Sequence, residues 1–287
     1  MSFQGTKIDP KKFHKSQLKF YFFLVPFAMF MILPIIFIFS NAFKPANEFF
    51  AFPPRIFVVN PTLNNFKRLF TAFSESNIPA TRYLFNSIIV ALATVLATIF
   101  ISSMAGYALS KKQFKLKKII FEINTLALMF VPIAVSIPRY VIIAKLGLID
   151  TFVINILPLI AMPVGLFLIK QFIDQIPDSL IEAAKIDGAN DWYIYLKIIL
   201  PMIKPAIATV AILSFQAAWN NADITYINSE HLKTFSAFMT TLTSSTSPVV
   251  GMGMSAAATL IMFVPNLIIF ILMQSKVMNT MAYSGIK

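Results

Sequence analysis

Residues 177–201 read PDSLIEAAKIDGANDWYIYLKIILP and form a charged segment, marked by alanine and glycine, between two apolar stretches. Charged side chains are costly inside the hydrocarbon of a bilayer. We therefore expect the segment to face an aqueous phase, outside any membrane that the flanking apolar stretches cross.

The surrounding chain has the composition of an integral membrane protein. Of its 287 residues, 57% are hydrophobic and 13% are charged, and the mean hydropathy is +0.75. A fold in water could not bury that much apolar surface, whereas a lipid bilayer dissolves it. The formal charge of +12 would favour nucleic acid in a soluble protein. In a membrane protein, basic loops instead set orientation, so we expect a lipid bilayer around the chain and no nucleic acid partner.

Six apolar stretches are long enough to cross the hydrocarbon core as helices, which takes about 20 residues each. We predict an all-α integral membrane protein with six transmembrane helices in one domain over residues 20–274, flanked by terminal segments 1–19 and 275–287. The predicted spans are 20–42, 84–109, 119–143, 151–170, 205–222 and 253–274. The first span is too long for the apolar part of a signal peptide, which favours a retained signal-anchor helix.

The distribution of basic residues predicts the orientation of the chain. Six spans place both termini on one side, and if that side is the cytoplasm, 16 of the 24 basic residues lie inside, as the positive-inside rule requires. Residues 171–204 then form a cytoplasmic loop, and about 43–83 and 223–252 form outer loops. The first outer loop is expected to fold as a cap or short interfacial helix, and the second as a solvated loop or a contact for an extracellular partner.

The polar segment carries the signals of two short helices joined at a turn. Ser179 and Glu182 have the spacing of a capping box, and Gly188 tolerates the left-handed conformation that ends many helices. Asn190 predicts the cap of a second helix, which Pro201 is expected to break. On these grounds alone, a plain capped hairpin and a docking surface are equally supported.

The spacing within this segment also resembles a known motif. Glu182-Ala183-Ala184, followed after three residues by Gly188 and after nine more by Ile198, then Leu200-Pro201, resembles the EAA motif. That motif belongs to the inner-membrane permease subunits of binding-protein-dependent ABC importers. Further segments resemble the carbohydrate-uptake, maltose-type branch of these permeases; they are 52–54, 60–62, 86–87, 105–108, 145–148 and the ending 284–287.

The resemblance implies a type I ABC importer permease fold in a bacterial inner membrane, with residues 171–204 carrying a coupling helix. By that resemblance, contact with a cytoplasmic ATPase subunit is made by Glu182, Ala183, Ala184, Asp187 and Gly188. It further implies half of a translocation pathway for a sugar or oligosaccharide. The implied partners are a second permease subunit in a heterodimer, two ATPase domains and an extracytoplasmic solute-binding protein.

ATP chemistry is not expected in the chain itself. The sequence has no GxxxxGK[ST] phosphate loop, so ATP and Mg²⁺ are assigned to the partner ATPase, and no cofactor is expected on this chain. The sequence also has no cysteine, and His14 and His231 lie far apart. These facts argue against catalytic residues and against a metal site.

Polar and aromatic side chains within the predicted spans are the candidates for the solute pathway. Carboxamides could hydrogen-bond sugar hydroxyls, and aromatic rings could stack on a sugar; the candidates are Tyr140, Asn155, Gln216, Trp219 and Asn220. The alternative for Asn155 and Gln216 is a hydrogen bond between helices, and for Trp219 it is a place in the interfacial aromatic belt. Both interpretations stay open at this point.

Two other transport functions compete with a sugar importer. The same permease architecture could carry a non-sugar solute. A self-powered secondary transporter would need carboxylates inside the membrane for ion coupling, and no acidic residue falls in the middle of a predicted span.

Overall fold

Helices account for most of the protein in this computed structural model. The structure describes residues 17–53, 55–71, 78–245 and 248–284. It is 77% helix, and these residues contain no β-strand, which confirms the all-α prediction. Most of the predicted N-terminal segment and the end of the predicted tail lie outside the described residues, as does Pro54 of the first outer loop.

The chain divides into two compact units. The first comprises residues 1–69 and 246–260, and the second comprises residues 70–245 and 261–287. Helices α1 (Leu18–Ala42) and α2 (Ala46–Phe49) belong to the first unit, where α3 (Asn64–Thr71) also begins.

The segment predicted as the first outer loop contains short helices, as expected, and a buried asparagine holds part of it. Asn65 donates from Nδ2 to the carbonyl oxygens of Ala42 at 3.1 Å and Lys44 at 2.8 Å. Gly253, in the same unit, leaves room for this side chain, because a Cβ there would lie 2.4 Å from Asn65 Oδ1. The loop therefore continues directly from the end of α1 into ordered structure.

The second unit is built around the 32-residue helix α4 (Ala80–Lys111), which spans about 48 Å. It packs against α8 and α12. The helices that follow it in this unit are α5 (Lys117–Ala127), α6 (Ser136–Lys145), α7 (Leu157–Ile160), α8 (Pro163–Asp174), α9 (Asp178–Ile186), α10 (Asp191–Ile194), α11 (Leu200–Met202), α12 (Lys204–Trp219) and α13 (Phe235–Ser245). The last helix, α14 (Pro248–Ser284), begins in the first unit.

Three helices among the described residues are long and apolar enough to cross a bilayer, and the number rises to five if each of two bent pairs counts as one span. The predicted third span, 119–143, is the one left out. Residues 132–135 form a 3₁₀ turn between α5 and α6, and Val131 before it is extended, with φ −74° and ψ 134°. Proline lacks an N–H and disfavours helical backbone in the preceding residue. The expectation of one helix over this span is therefore wrong.

The segment predicted as the second outer loop contains a helix that its polar sequence does not predict. Residues 223–252 were expected to form a loop, but α13 lies within them. Two aromatic side chains bury its start, since Phe235 and Phe238 are both nearly inaccessible and Phe238 stacks on Tyr83 at 4.5 Å. Phe235 N also donates to Ser87 Oγ at 2.8 Å. These long-range contacts to α4 outweigh the weak helical preference of serine and threonine.

The close approach of α4 and α8 gives a first testable prediction. A Cβ at Gly106 would lie 2.9 Å from Ile169 Cγ2 and 3.4 Å from the backbone nitrogen of Lys170. We expect Gly106→Ala to lower the free energy of unfolding by about 1–3 kcal/mol, because a packed interface cannot absorb the extra carbon. Gly165→Ala is the matched control, since its nearest neighbour is the Val210 side chain at 3.2 Å. Thermal unfolding in detergent should show the smaller loss for the control, and equal losses would contradict this explanation.

Candidate functional site

The polar segment forms two short helical arms around a glycine turn, as its sequence predicts. Helix α9 ends at Ile186, and Gly188 adopts φ +82° in the left-handed region. Asn190 then caps α10, accepting a hydrogen bond from Tyr193 N through Oδ1 at 2.8 Å. The hinge at Gly188 and the cap at Asn190 are both confirmed. Residues 177–203 are named the loop hairpin below.

Two details of the predicted hairpin are wrong. The first helix starts at Asp178, its N-terminal flank is Pro177, and no side chain caps it, so the expected capping box with Ser179 does not form. Pro201 does not break the second arm, which continues to Met202 through a π-helical turn over Tyr195–Ile199. Such a turn changes the backbone hydrogen-bond register and accommodates a residue without an N–H. The break falls at Ile203, where α12 begins at 79° to the arm.

The outer face of the hairpin exposes several large apolar side chains. Ile186 is 86% exposed, and Leu180, Trp192 and Tyr193 are exposed beside it. Four of the five predicted contact residues are also exposed, namely Glu182, Ala183, Asp187 and Gly188, while Ala184 is half-buried. A groove of about 570 Å³ runs past the glycine turn, between Ala184 and Asp187 on one arm and Tyr193 and Lys197 on the other. Exposed apolar patches of this kind mark contact surfaces.

The inner face of the hairpin is anchored in an apolar cluster. Ile181 of α9 and Ile194 of α10 are buried in it. The other buried members come from α4, α8, α12 and the turns beside them; they are Tyr107, Ile169, Ile173, Ile176, Tyr195, Ile199, Ile203, Ala206 and Val210. The hairpin is therefore packed against α4, α8 and α12 and is not held by its chain connections alone.

Two ion pairs join the hairpin to the end of α4, and sequence reasoning missed both. Lys111 Nζ lies 2.7 Å from Asp178 Oδ1, and Lys112 pairs with Asp191. Both aspartates occupy the first turn of a short helix, where a negative charge is favoured. The lysines were interpreted only as signals of orientation. The acidic residue at the start of each arm was the sequence feature that could have indicated a basic partner.

The two ion pairs predict how the hairpin responds to pH. Hydrogen bonding from Lys111 lowers the pKa of Asp178 below its usual 3.8, and hydrogen bonding from Lys112 lowers the pKa of Asp191 in the same direction. A carboxyl group with a lowered folded-state pKa stabilises the fold above its unfolded pKa, and this contribution is lost as the pH falls through the folded pKa. Both links should therefore persist at neutral and mildly acidic pH and weaken only below about pH 4.

The distance between spin labels at Ile186→Cys and Lys115→Cys would check this dependence, because the chain has no cysteine of its own. We expect the distance to stay constant from about pH 9 to about pH 5 and to broaden only in stronger acid. A transition near pH 6–7 would contradict the assignment, because a histidine would then control the attachment.

Two of the predicted pathway residues are buried and make hydrogen bonds within the chain. Asn155 is buried and donates from Nδ2 to the carbonyl oxygen of Leu232 at 3.1 Å. Trp219 is 3% exposed, donates from Nε1 to the carbonyl oxygen of Met262 at 3.0 Å, and stacks on Phe215. These contacts are of the kind that the alternative for Asn155 describes, and they place Trp219 in the packed interior rather than in an aromatic belt.

The other three predicted pathway residues are exposed. Tyr140 is 42% exposed and packs near Tyr226, while Gln216 and Asn220 lie one helical turn apart at the end of α12. Asn266 of α14, which sequence reasoning missed, donates from Nδ2 to Asn220 Oδ1 at 3.1 Å. A lone asparagine in an apolar span was the available signal for it. The three carboxamides, Gln216, Asn220 and Asn266, are named the carboxamide group below.

Comparisons with known proteins agree with this architecture. The chain is 28% identical to the arabinooligosaccharides transport system permease protein AraQ of Bacillus subtilis (strain 168), covering 92% of this chain and 94% of that protein. It is 28% identical to the lactose transport system permease protein LacG of Rhizobium radiobacter, covering 75% of this chain and 78% of that protein.

A solved structure also shares the fold. It is the crystal structure of a bacterial ABC transporter involved in the import of the acidic polysaccharide alginate, with a TM-score of 0.77 and 21% identity over 92% of this chain and 98% of the matched chain. A family model described as the binding-protein-dependent transport system inner membrane component matches residues 98–275, a range that contains the whole loop hairpin. Because that range is more than half of the chain, the protein belongs to the family of inner membrane components of binding-protein-dependent transport systems.

Proposed function

We propose that this chain is the permease subunit of an ABC importer and forms half of the translocation pathway for a sugar or oligosaccharide. The observation that carries the proposal is the loop hairpin, which is rigidly attached to the helices on one face and exposes apolar side chains on the other. A family of importers that depends on binding proteins needs such a contact to receive energy from another subunit.

In this proposal the hairpin docks on a cytoplasmic ATPase subunit. Glu182, Ala183, Asp187 and Gly188 lie on its exposed side, and Ala184 borders the groove at the turn. ATP and Mg²⁺ act in the ATPase, and this chain contributes movement rather than chemistry. Closure of two ATPase domains displaces the hairpins, and the helices reorient around the pathway.

The sugar assignment rests on two supports. Relatives that span most of the chain are named for arabinooligosaccharide and lactose transport. In the carboxamide group, the exposed side chains of Gln216 and Asn220 and the half-buried side chain of Asn266 present amide donors and acceptors of the kind that bind hydroxyl groups. We include Tyr140 in the same pathway as a ring on which a sugar could stack, and we assign Asn155 and Trp219 to its supporting wall.

The proposed assembly places both termini and the hairpin in the cytoplasm, in agreement with the basic residues of 111–118. A second permease subunit completes the pathway. The apolar side chains of α1, exposed from Leu18 to Phe39, offer it and the lipid a surface. A solute-binding protein outside the membrane delivers the solute, as the description of the family implies.

Transport by the reconstituted complex tests the function. Proteoliposomes containing the permease pair, the ATPase and the binding protein would be offered arabinotriose, lactose, an alginate oligosaccharide and, for comparison, an amino acid. We expect ATP-dependent accumulation of a sugar, and we expect Gln216→Leu to reduce it more than Ala217→Leu, a neighbouring exposed position on α12. Accumulation of the amino acid alone would favour the non-sugar importer, and accumulation without ATP would contradict the proposal.

A further inference from the structure

We propose that Lys111 and Lys112 form a two-point clamp that delivers movement of the loop hairpin to α4, which makes them positioning residues for energy coupling. The inference rests on the proposed function and adds to it the route by which movement enters the membrane helices. It is carried by contacts at the end of α4 that are independent of the docking face.

The first point of the clamp is the more deeply buried one. The Lys111 side chain is 7% exposed, and its Nζ donates to the carbonyl oxygen of Ile176 at 2.5 Å as well as to Asp178. Both acceptors lie where the chain enters α9. A buried ammonium group needs such partners, because an unpaired charge is costly there. The entry of the first arm is therefore fixed to the last residue of α4.

The second point holds the other arm. Lys112 pairs with Asp191 at the start of α10, and its Nζ lies 5.7 Å from the centre of the Tyr107 ring. Tyr107 in turn lies 5.9 Å from Tyr195, and the Tyr195 hydroxyl is 2.7 Å from Ser103 Oγ.

A third contact therefore reinforces the clamp from the same helix. Ser103, Tyr107 and Lys111 are spaced four residues apart and lie on one face of α4. Polar contacts from this face and from Lys112 reach the starts of both arms and the π-helical turn. The hairpin cannot be displaced as a body without pulling on α4 or breaking these contacts.

The covalent connection to α12 is of a different kind. The second arm meets α12 through one residue, Ile203, at a bend of 79°. Ile203 itself is buried with φ −94° and ψ 13°. A bend at a single residue passes on the position of the arm. It restricts rotation of the arm less than the three side-chain contacts to α4 do. Movement of the hairpin is accordingly delivered first to α4.

The competing explanation is that the basic run 111–118 only orients the chain in the membrane. Lys115 separates the two explanations, because it belongs to the same run and is exposed in the connection between α4 and α5, with no ion pair to any residue that the structure describes. A role in orientation depends on the number of charges and treats all these lysines alike. A clamp depends on position, so only Lys111 and Lys112 should matter.

The test follows nucleotide-driven movement in the full complex. A single nitroxide is attached at Phe85→Cys on α4 or at Ala217→Cys on α12, both exposed positions. Its accessibility to a collision reagent is measured without nucleotide and with ATP and vanadate. We expect the double variant Lys111→Met and Lys112→Met to reduce the nucleotide-dependent change at position 85 at least about fivefold. The change at position 217 should persist, and Lys115→Met should alter neither.

A second variant keeps the test usable if loss of the buried lysine impairs assembly. Asp178→Asn with Asp191→Asn removes the same two links through exposed side chains and should reproduce the loss at position 85. Combining Lys112→Met with Asp191→Asn should reduce the nucleotide-dependent change at position 85 no more than either substitution alone, since both remove the same ion pair.

Three results would overturn the clamp. They are an unchanged response at position 85, an equal loss at positions 85 and 217, and a loss with Lys115→Met of the same size. A parent complex with no nucleotide response at either position would instead contradict the proposed function itself. The two failures are therefore distinguishable.

Discussion

Gly188→Val is expected to lower ATP-driven transport about tenfold or more, whereas Gly188→Asn should retain most of it. The backbone at Gly188 has φ +82°, and a Cβ there would meet nothing within 4 Å. The effect must therefore come from backbone strain rather than from a clash. L-residues in the left-handed region incur about 1–2 kcal/mol, and asparagine tolerates that region far better than a β-branched residue does. Valine should thus reshape the turn that holds the two arms in register.

A second left-handed glycine supplies the control for this prediction. Gly147 has φ +67° and is equally open, but it follows α6, outside the loop hairpin. We expect Gly147→Val to affect stability to a similar extent without preventing the ATPase subunit from binding. Sugar uptake by proteoliposomes and copurification of the ATPase are the two measurements. Equal losses for Gly188→Asn and Gly188→Val would contradict the conformational explanation.

Ile186→Glu is expected to abolish stable binding of the ATPase subunit. Ile186 ends α9 at the tip of the hairpin and is 86% exposed, more than any other large apolar side chain exposed on the two arms. A residue this exposed contributes little to the fold of the free chain, so its substitution should leave the permease intact. Buried central apolar residues of an interface each contribute about 2 kcal/mol or more to binding, and a carboxylate in their place would also need to be desolvated.

Copurification of the ATPase with the solubilised permease measures this effect. Leu146→Glu is the matched control, because Leu146 is 64% exposed at the end of α6, away from the hairpin. We expect the ATPase to be lost with Ile186→Glu and retained with Leu146→Glu. Retention in both variants would show that the tip of the hairpin does not carry the contact.

The sequence predicts most of this site because its signals are local. A glycine suited to the left-handed conformation and an asparagine cap act within a few residues, so Gly188 and Asn190 could be assigned without knowledge of the fold. The capping box failed for a local reason too, since proline is favoured at the start of a helix and α9 starts directly after Pro177. Helix α9 therefore begins two residues too early for Ser179 to act as its cap.

The contacts that attach the site were not predictable from spacing. Lys111 and Asp178 are 67 residues apart in sequence, and no periodic pattern connects them. The same holds for Phe235 and Ser87, whose hydrogen bond links the start of α13 to α4 across 148 residues. Hydrophobic periodicity identifies which face of a helix is buried, but only the assembled fold determines which polar groups meet there.

Apolar length alone also predicted one continuous helix where the chain forms two. Residues 119–143 have the composition of a spanning helix, yet the turn beginning at Pro132 divides them. Proline is tolerated inside some spanning helices, as Pro26 and Pro34 are in α1. The outcome at each proline depends on whether neighbouring groups satisfy the freed carbonyl, which composition does not encode.

Site-specific photo-crosslinking tests the central claim most directly, which is that the loop hairpin is where a separate ATPase moves this permease. A photoreactive residue would be placed at Ala183, exposed on α9, and in a parallel sample at Leu146. After irradiation of the membrane-embedded complex, we predict an adduct between position 183 and the ATPase subunit whose yield changes on adding ATP. Position 146 should give none. An adduct with the ATPase from position 146 but not from position 183 would contradict the account.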